Sequence, residues 1–290
     1  MDLFLIDFFW GNTVVASLAY LWITVMLVTV IFCFTISEIS GNYSQVDKLW
    51  SLMPPIYAII TLAYFPHSGR ILIMTILAIA WGARLTWNFA RKGGYNAILW
   101  KGEEDYRWGV LRKKPILQGR VKFGLFNLFF ISFYQMFLIM LFSTPLLVAA
   151  SYPEKPIGWL DITAAILILG ALTLETISDN QLNSFQRQKR GKSEKDSRFE
   201  KSHSCGFMCN GLFSISRHPN WLAEQSVWVF FYLFSISASG IILNWSIVGA
   251  ILLILLFQGS IWITESISKS KYPQYQDYIK RVPKFIPKLF

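Results

Sequence analysis

Seven stretches of this 290-residue chain, 13–37, 48–66, 71–90, 122–150, 157–178, 221–239 and 241–264, are predominantly apolar. Each approaches the roughly 20 residues a helix needs to cross a bilayer. Inside hydrocarbon the backbone has no water to pair with, so only helices and closed barrels satisfy every N–H and C=O. Runs of this length and continuity predict helices. The second is interrupted by Pro54-Pro55, the fourth can tilt or break near Pro145, and only Ser237–Gly240 separates the sixth from the seventh. The expected fold class is all-α, a polytopic membrane helical bundle of about seven transmembrane helices. Composition agrees: only 15% of residues are charged and 54% are hydrophobic. A soluble domain carries about 25% charged residues. A soluble two-domain enzyme, a disordered chain and a fibrous repeat are thereby excluded.

The N-terminus carries Asp2 and Asp7 with no basic region and no small-residue cleavage site, so the first span is expected to remain in place. Cys33, Cys205 and Cys209 cannot make a disulfide framework. Cys205 and Cys209, four apart beside His203, fit zinc spacing poorly, and no metal site is expected.

The net charge of +10 is unevenly placed. Of the 27 Lys and Arg residues, 24 fall in the loops and tail on one side of the expected spans. Only Arg70 and Lys155 fall on the other, and Arg84 lies within the third span. Positive residues accumulate on the cytoplasmic side. The N-terminus is therefore expected outside or in the lumen, and the C-terminus in the cytosol. Basicity of this kind marks orientation and contacts with anionic headgroups or phosphates, and no nucleic-acid partner is expected. Ionisable residues in spans are costly and by default functional. Here they are Asp47, Arg84, Glu175, Asp179, Glu224 and Glu265, all near the cytoplasmic ends of their spans. Carboxylates are short and reach water poorly, so the set points to a shared polar cavity.

Glu175 and Asp179, four apart, share a helix face. Asn180, Asn183, Gln186 and Arg187 extend the polar stretch. It reads either as an ordinary polar helix end or as acceptors for ribose hydroxyls or an amide, with Arg187 for a phosphate. The densest stretch runs from Asn210 to Glu224. Ser216, Arg217 and His218 precede Pro219, where a helix is expected to begin, and helix starts offer unpaired N–H groups to anions. Arg217 adds a fork for the same anion. Asn220 and Glu224 follow one turn in. Tyr272, Tyr275 and Tyr278 recur every third residue in the tail, suited to a flat wall or to a headgroup belt. No Gly-rich nucleotide fingerprint and no nucleophile elbow occurs, so any dinucleotide must be held between helices.

At these residues the sequence resembles the membrane steroid 5α-reductase family through its C-terminal domain, and most of all a branch whose substrates are largely unassigned. The resemblance rests on Ser178-Asp179, on Asn210 through Glu224 and on the Tyr275–Pro287 tail, and is strongest over about residues 160–290. Upstream, Gln45–Trp50, Arg84 and Gly102–Trp108 look like that branch more than like steroid reductases proper. The resemblance implies reduction of a carbon–carbon double bond conjugated to a carbonyl, with NADPH entering a seven-helix bundle from the cytosol. Asp179, Asn220 and Glu224 match cofactor-contacting positions, Arg187 is a near match displaced by one residue, and Tyr275 and Tyr278 match the tail that closes over the cofactor. The family's proton-donating Glu and Tyr fall here near Ser51 or Leu52 and on Trp81, so Asp47, Arg84 and Tyr95 are the catalytic candidates. The expected cofactor-binding set is Glu175, Asp179, Asn180, Arg187, Ser216, Arg217, Asn220, Glu224, Tyr275 and Tyr278.

The expected organisation is a lipid-substrate region over 1–150 and a cofactor region over 151–290. The expected partner is a hydrophobic lipid, sterol-, steroid- or polyprenoid-like, from the bilayer; no protein partner is required. The membrane would be the endoplasmic reticulum in a eukaryote or the inner membrane in a bacterium. A methyltransferase using S-adenosylmethionine is the first alternative, because isoprenylcysteine carboxyl methyltransferases look similar at Arg217-His218-Pro219 and in the tail. A non-enzymatic lipid-binding membrane protein is the second.

Overall fold

A computed structural model describes residues 12–96, 98 and 101–286. The expectation of a retained N-terminus, resting on Asp2 and Asp7, lies outside the described residues, as does Pro287. Among the described residues the chain is helical with no strand. In order the helices are α1 (Thr13–Ser40), α2 (Gln45–Trp50), α3 (Met53–Tyr64), α4 (Gly69–Ala90), α5 (Tyr106–Arg112) and α6 (Arg120–Ala150). They continue with α7 (Trp159–Lys189), α8 (Glu200–Cys205), α9 (Pro219–Ser239), α10 (Ile247–Lys271) and α11 (Tyr275–Arg281).

Five of these, α1, α4, α6, α7 and α10, are long and apolar enough to cross a membrane. The expected second span instead divides at Ser51-Leu52, because Pro54 and Pro55 fit only the first turn of a helix. The 12 residues of α3 reach about 18 Å, short of a hydrocarbon core of about 30 Å. Helix α9 has 21 residues but carries Asn220, Glu224 and Gln225 in its first turns. The expected fifth span runs further than its apolar stretch: α7 continues for 31 residues, so its last turns are polar. The chain forms two compact units, one running to Ala165 and including Val229–Leu253, the other holding Ile166–Trp228 and the chain from Ile254 onward.

In the first unit, Asn12 caps α1 by accepting from the Val14 and Val15 amides at 3.2 Å. Leu18, Trp22, Met26, Val30, Cys33 and Ser37, three or four residues apart, form its buried face. Helices α3 and α4 pack closely because Gly82 lets the backbone of Ser51 approach: a Cβ there would stand 2.5 Å from the Ser51 carbonyl oxygen. Gly249 does the same for the start of α10 against α6, where a Cβ would lie 2.3 Å from the Leu141 backbone. Residues 127–134 of α6 are π-helical. That widened turn buries Asn127 and Ser132, and Asn127 Nδ2 donates to Glu38 Oε1 at 2.8 Å.

Arg70 and Asp161 are fully buried and paired at 2.8 Å. The guanidinium also donates to the carbonyls of Lys155 and Pro156, and Asp161 accepts from the Gly158 amide and the Ser237 hydroxyl. Four of the five guanidinium N–H groups and both carboxylate oxygens are thus paired, which lets the ion pair survive in a low-dielectric interior.

Candidate cofactor-binding site

In the second unit, α7 turns Glu175, Ser178 and Asp179 inward, 4%, 0% and 3% exposed. The first turns of α9 meet them: half-buried Asn220 donates from Nδ2 to Asp179 Oδ1 at 3.1 Å, and Glu224, one turn on, is buried. Helix α9 starts where the sequence predicts, at Pro219, whose fixed φ and missing N–H suit a first turn. Three carboxylates and an amide thus gather on facing turns of two helices. This is an acceptor-rich wall.

The expected polar stretch does not stay together. Asn180 and Arg187 are exposed, while Glu175 and Asp179 are buried. The cause is helical phase: at 3.6 residues per turn, 180 and 187 share one stripe about a quarter turn away from 179. Glu175, Asp179, Asn220 and Glu224 come together; Asn180 and Arg187 face outward.

The segment before α9 is tied to the tail. The Arg217 amide donates to the Pro283 carbonyl at 2.9 Å and the His218 amide to that of Lys284 at 3.2 Å. The Ser216 hydroxyl also reaches the Lys284 carbonyl, at 3.3 Å. Arg217 Nε donates to Glu265 Oε1 at 2.8 Å, and its Nη1 donates to the carbonyls of Val282 at 2.6 Å and Ile279 at 3.3 Å. His218 Nε2 pairs with the same Glu265 oxygen at 2.9 Å and stacks on Trp221. The N–H groups expected to meet a phosphate therefore hold the tail, and among the described residues Arg217 bonds through Nε and Nη1 and not through Nη2. Glu265 is the partner of Arg217 and His218 that motif reading missed. Its signal was present, since it is one of the six ionisable span ends, but nothing in its neighbours points to Arg217, 48 residues earlier.

Tyr275 and Tyr278 are buried, and their rings pack on Phe207 at 4.9 and 5.2 Å between centroids. The Tyr278 hydroxyl donates to the Phe213 carbonyl at 2.6 Å, and burial pushes its phenol pKa up. The wall expected from the tyrosine spacing exists, and the ring it faces belongs to the chain itself. Beside it lies a pocket of about 330 Å³ lined by Lys201, Cys205, Phe207, Cys209, Tyr278 and Arg281, among others. Lys201 and Arg281 bring positive charge to its lining and Asp277 one negative charge, and sequence spacing alone gave no reason to bring Lys201 and Arg281 together.

The three catalytic candidates lie in the first unit. Asp47, in α2, accepts from Trp108 Nε1 at 3.1 Å. Burial, then the charge of Asp105, raise its carboxyl above the usual range. The Tyr95 hydroxyl donates to the Lys48 carbonyl at 2.7 Å, which brings Tyr95 onto the same short helix but spends its proton on the backbone. Arg84 lies on α4 between Gly82, packed on Ser51, and Thr86, whose hydroxyl bonds that of Ser51 at 2.7 Å.

The sequence matches the family described as "Protein of unknown function (DUF1295)" over residues 33–282. An uncharacterized protein of Schizosaccharomyces pombe, C594.04c, is 37% identical over 265 residues, covering 88% of this chain and 75% of that protein. No solved structure matches. The matched region runs from the buried face of α1 to the tail that Arg217 holds, and this integral membrane protein belongs to the DUF1295 family.

Proposed function

We propose that the protein reduces a carbon–carbon double bond conjugated to a carbonyl in a hydrophobic lipid, sterol-, steroid- or polyprenoid-like, with NADPH as reductant. The observation that carries this reading is the wall formed by buried Glu175, Asp179 and Glu224 with half-buried Asn220. A nicotinamide carboxamide and ribose hydroxyls are neutral donors of the kind that carboxylate and amide oxygens accept from. Arg217 Nη2 supplies positive charge suited to a phosphate, and Lys201 and Arg281 outnumber Asp277 in the pocket beside Tyr278. The likeness of residues 160–290 to the membrane steroid 5α-reductase family supports the same assignment. Bound NADPH would supply the hydride; the part of the chain is to hold the carboxamide and ribose and to donate a proton. Asp47 suits proton donation best of the three candidates, because its raised carboxyl keeps its proton to higher pH.

The 24 Lys and Arg residues gathered on one side support seven crossings with a lumenal or external N-terminus and a cytosolic C-terminus, the cofactor side. The endoplasmic reticulum or a bacterial inner membrane fits that charge bias. A second reading, methyl transfer from S-adenosylmethionine, is favoured by one observation. The 330 Å³ pocket lies at the low end of small-molecule sites, roughly 300–1,000 Å³, and suits a ligand smaller than a dinucleotide. Thermal-shift titration of detergent-purified protein with NADPH, NADH and S-adenosylmethionine separates the readings. Stabilisation by NADPH is expected; stabilisation by S-adenosylmethionine alone would overturn the reductase, and no response to any would favour a lipid-binding role.

A further inference from the structure

Trp22 on α1 and Tyr57 on α3 are both completely buried in the first unit, with ring centroids 4.5 Å apart. Among the described residues, neither the Trp22 Nε1–H nor the Tyr57 hydroxyl has a hydrogen-bond partner. Buried tryptophan and tyrosine ordinarily satisfy their polar atom. The surrounding hydroxyls do so: Thr29 donates to Val25, Thr61 to the Tyr57 carbonyl and Thr75 to Ile71. Phenylalanine would supply the same apolar ring as Tyr57 without a buried orphan that costs about 1–3 kcal/mol. Two such orphans on touching rings are a cost that a bound acceptor would remove.

We propose that Trp22 and Tyr57 form a binding site in the first unit for the neutral acceptor oxygen, a carbonyl in the first instance, of an apolar ligand. Indole nitrogen is a donor only, so the ligand atom facing it must accept. A carbonyl oxygen has two lone pairs, one for each donor. An anion is disfavoured, because among the described residues no cationic side chain bonds either ring, and a bare charge in apolar surroundings is far costlier than a carbonyl. Met26 lies one turn from Trp22 and Met53 one turn from Tyr57, both buried. Unbranched and polarizable, these side chains can yield to a bulky hydrocarbon skeleton. The site names the polar end that a lipid must carry, and it stands without the cofactor reading.

The test uses the full chain, delipidated in detergent, with no nicotinamide cofactor present. Binding of cholest-4-en-3-one and of 5α-cholestane, the oxygen-free skeleton, is measured from the concentration dependence of the thermal shift. Wild type is expected to prefer the ketone. Tyr57→Phe and Trp22→Phe should each weaken ketone binding roughly five- to tenfold and leave cholestane unchanged. Ligand-free Tyr57→Phe should be as stable as wild type or more so, since the hydroxyl it lacks had no partner. Equal binding of ketone and cholestane by wild type, or an undiminished ketone preference in Tyr57→Phe, overturns the proposal. So does a drop in ligand-free stability in Tyr57→Phe, which would show the hydroxyl to be structurally bonded. Because NADPH is absent, a failed reductase assignment leaves this result intact, and the reverse holds too.

Discussion

Replacing Arg217 with methionine keeps a long side chain and removes the guanidinium that ties the tail to the start of α9. The Arg217–Glu265 pair is buried, with side chains 8% and 10% exposed, so solvent screens it little. Breaking such a pair from one side costs about 3–5 kcal/mol. The tail bears the part due to the two carbonyl bonds. The Val282 bond at 2.6 Å is strong and the Ile279 bond at 3.3 Å is weak. At about 1.5–3 kcal/mol for a good charged hydrogen bond, the tail should lose about 2–3 kcal/mol. That corresponds to roughly 30- to 150-fold faster amide exchange over residues 278–282, read by hydrogen-exchange mass spectrometry. Glu265→Gln leaves the carbonyl bonds in place and should destabilise the unit without singling out the tail. Exchange in Arg217→Met unchanged within twofold, or raised equally throughout the protein, would refute the clamp.

Arg70→Met leaves Asp161 buried without its cation and should cost about 3–5 kcal/mol in unfolding, whereas the double replacement Arg70→Met with Asp161→Leu should recover part of the loss. Gly249→Ala should destabilise by about 1–3 kcal/mol, because its Cβ would meet the Leu141 backbone at 2.3 Å and this overpacking exceeds the roughly 1 kcal/mol that alanine adds to a helix. Asp47→Asn should raise the melting temperature at neutral pH, with the gain shrinking as pH falls toward the ordinary carboxylate value. The sign follows because a carboxyl raised in the fold binds more protons there than when unfolded, so its cost begins above the ordinary aspartate value of 3.8 and grows with pH. A melting-temperature difference that widens in acid would contradict the burial of that carboxyl.

Helix type and the long spans were legible because hydrocarbon leaves an apolar run little choice of backbone. Pro219 marked the start of α9, and Pro54-Pro55 marked an interruption. Where the interruption fell, at Ser51-Leu52, and that it leaves α3 only 12 residues, depended on how the prolines seat in a first turn. At the site, the four-residue spacings of Glu175–Asp179 and Asn220–Glu224 told which groups share a face, since helical phase is local. The same phase argument separates Asn180 and Arg187 from them, a consequence that a contiguous polar string conceals. The Arg217–Glu265 clamp and the orphaned pair Trp22 and Tyr57 were hidden for another reason. They join residues 48 and 35 positions apart, and such meetings are set by helix packing rather than by any spacing in the chain.

The central claim is that the buried wall on α7 and α9 holds NADPH. Its most direct test is equilibrium binding of NADPH to the purified full-length protein and to Asp179→Ala, with thermal unfolding to confirm that the variant is folded. The account predicts saturable binding to wild type, weakened at least about tenfold in the variant, as expected for a lost charged hydrogen bond of about 1.5–3 kcal/mol. Undiminished affinity in Asp179→Ala, or binding of S-adenosylmethionine in place of NADPH, would contradict it.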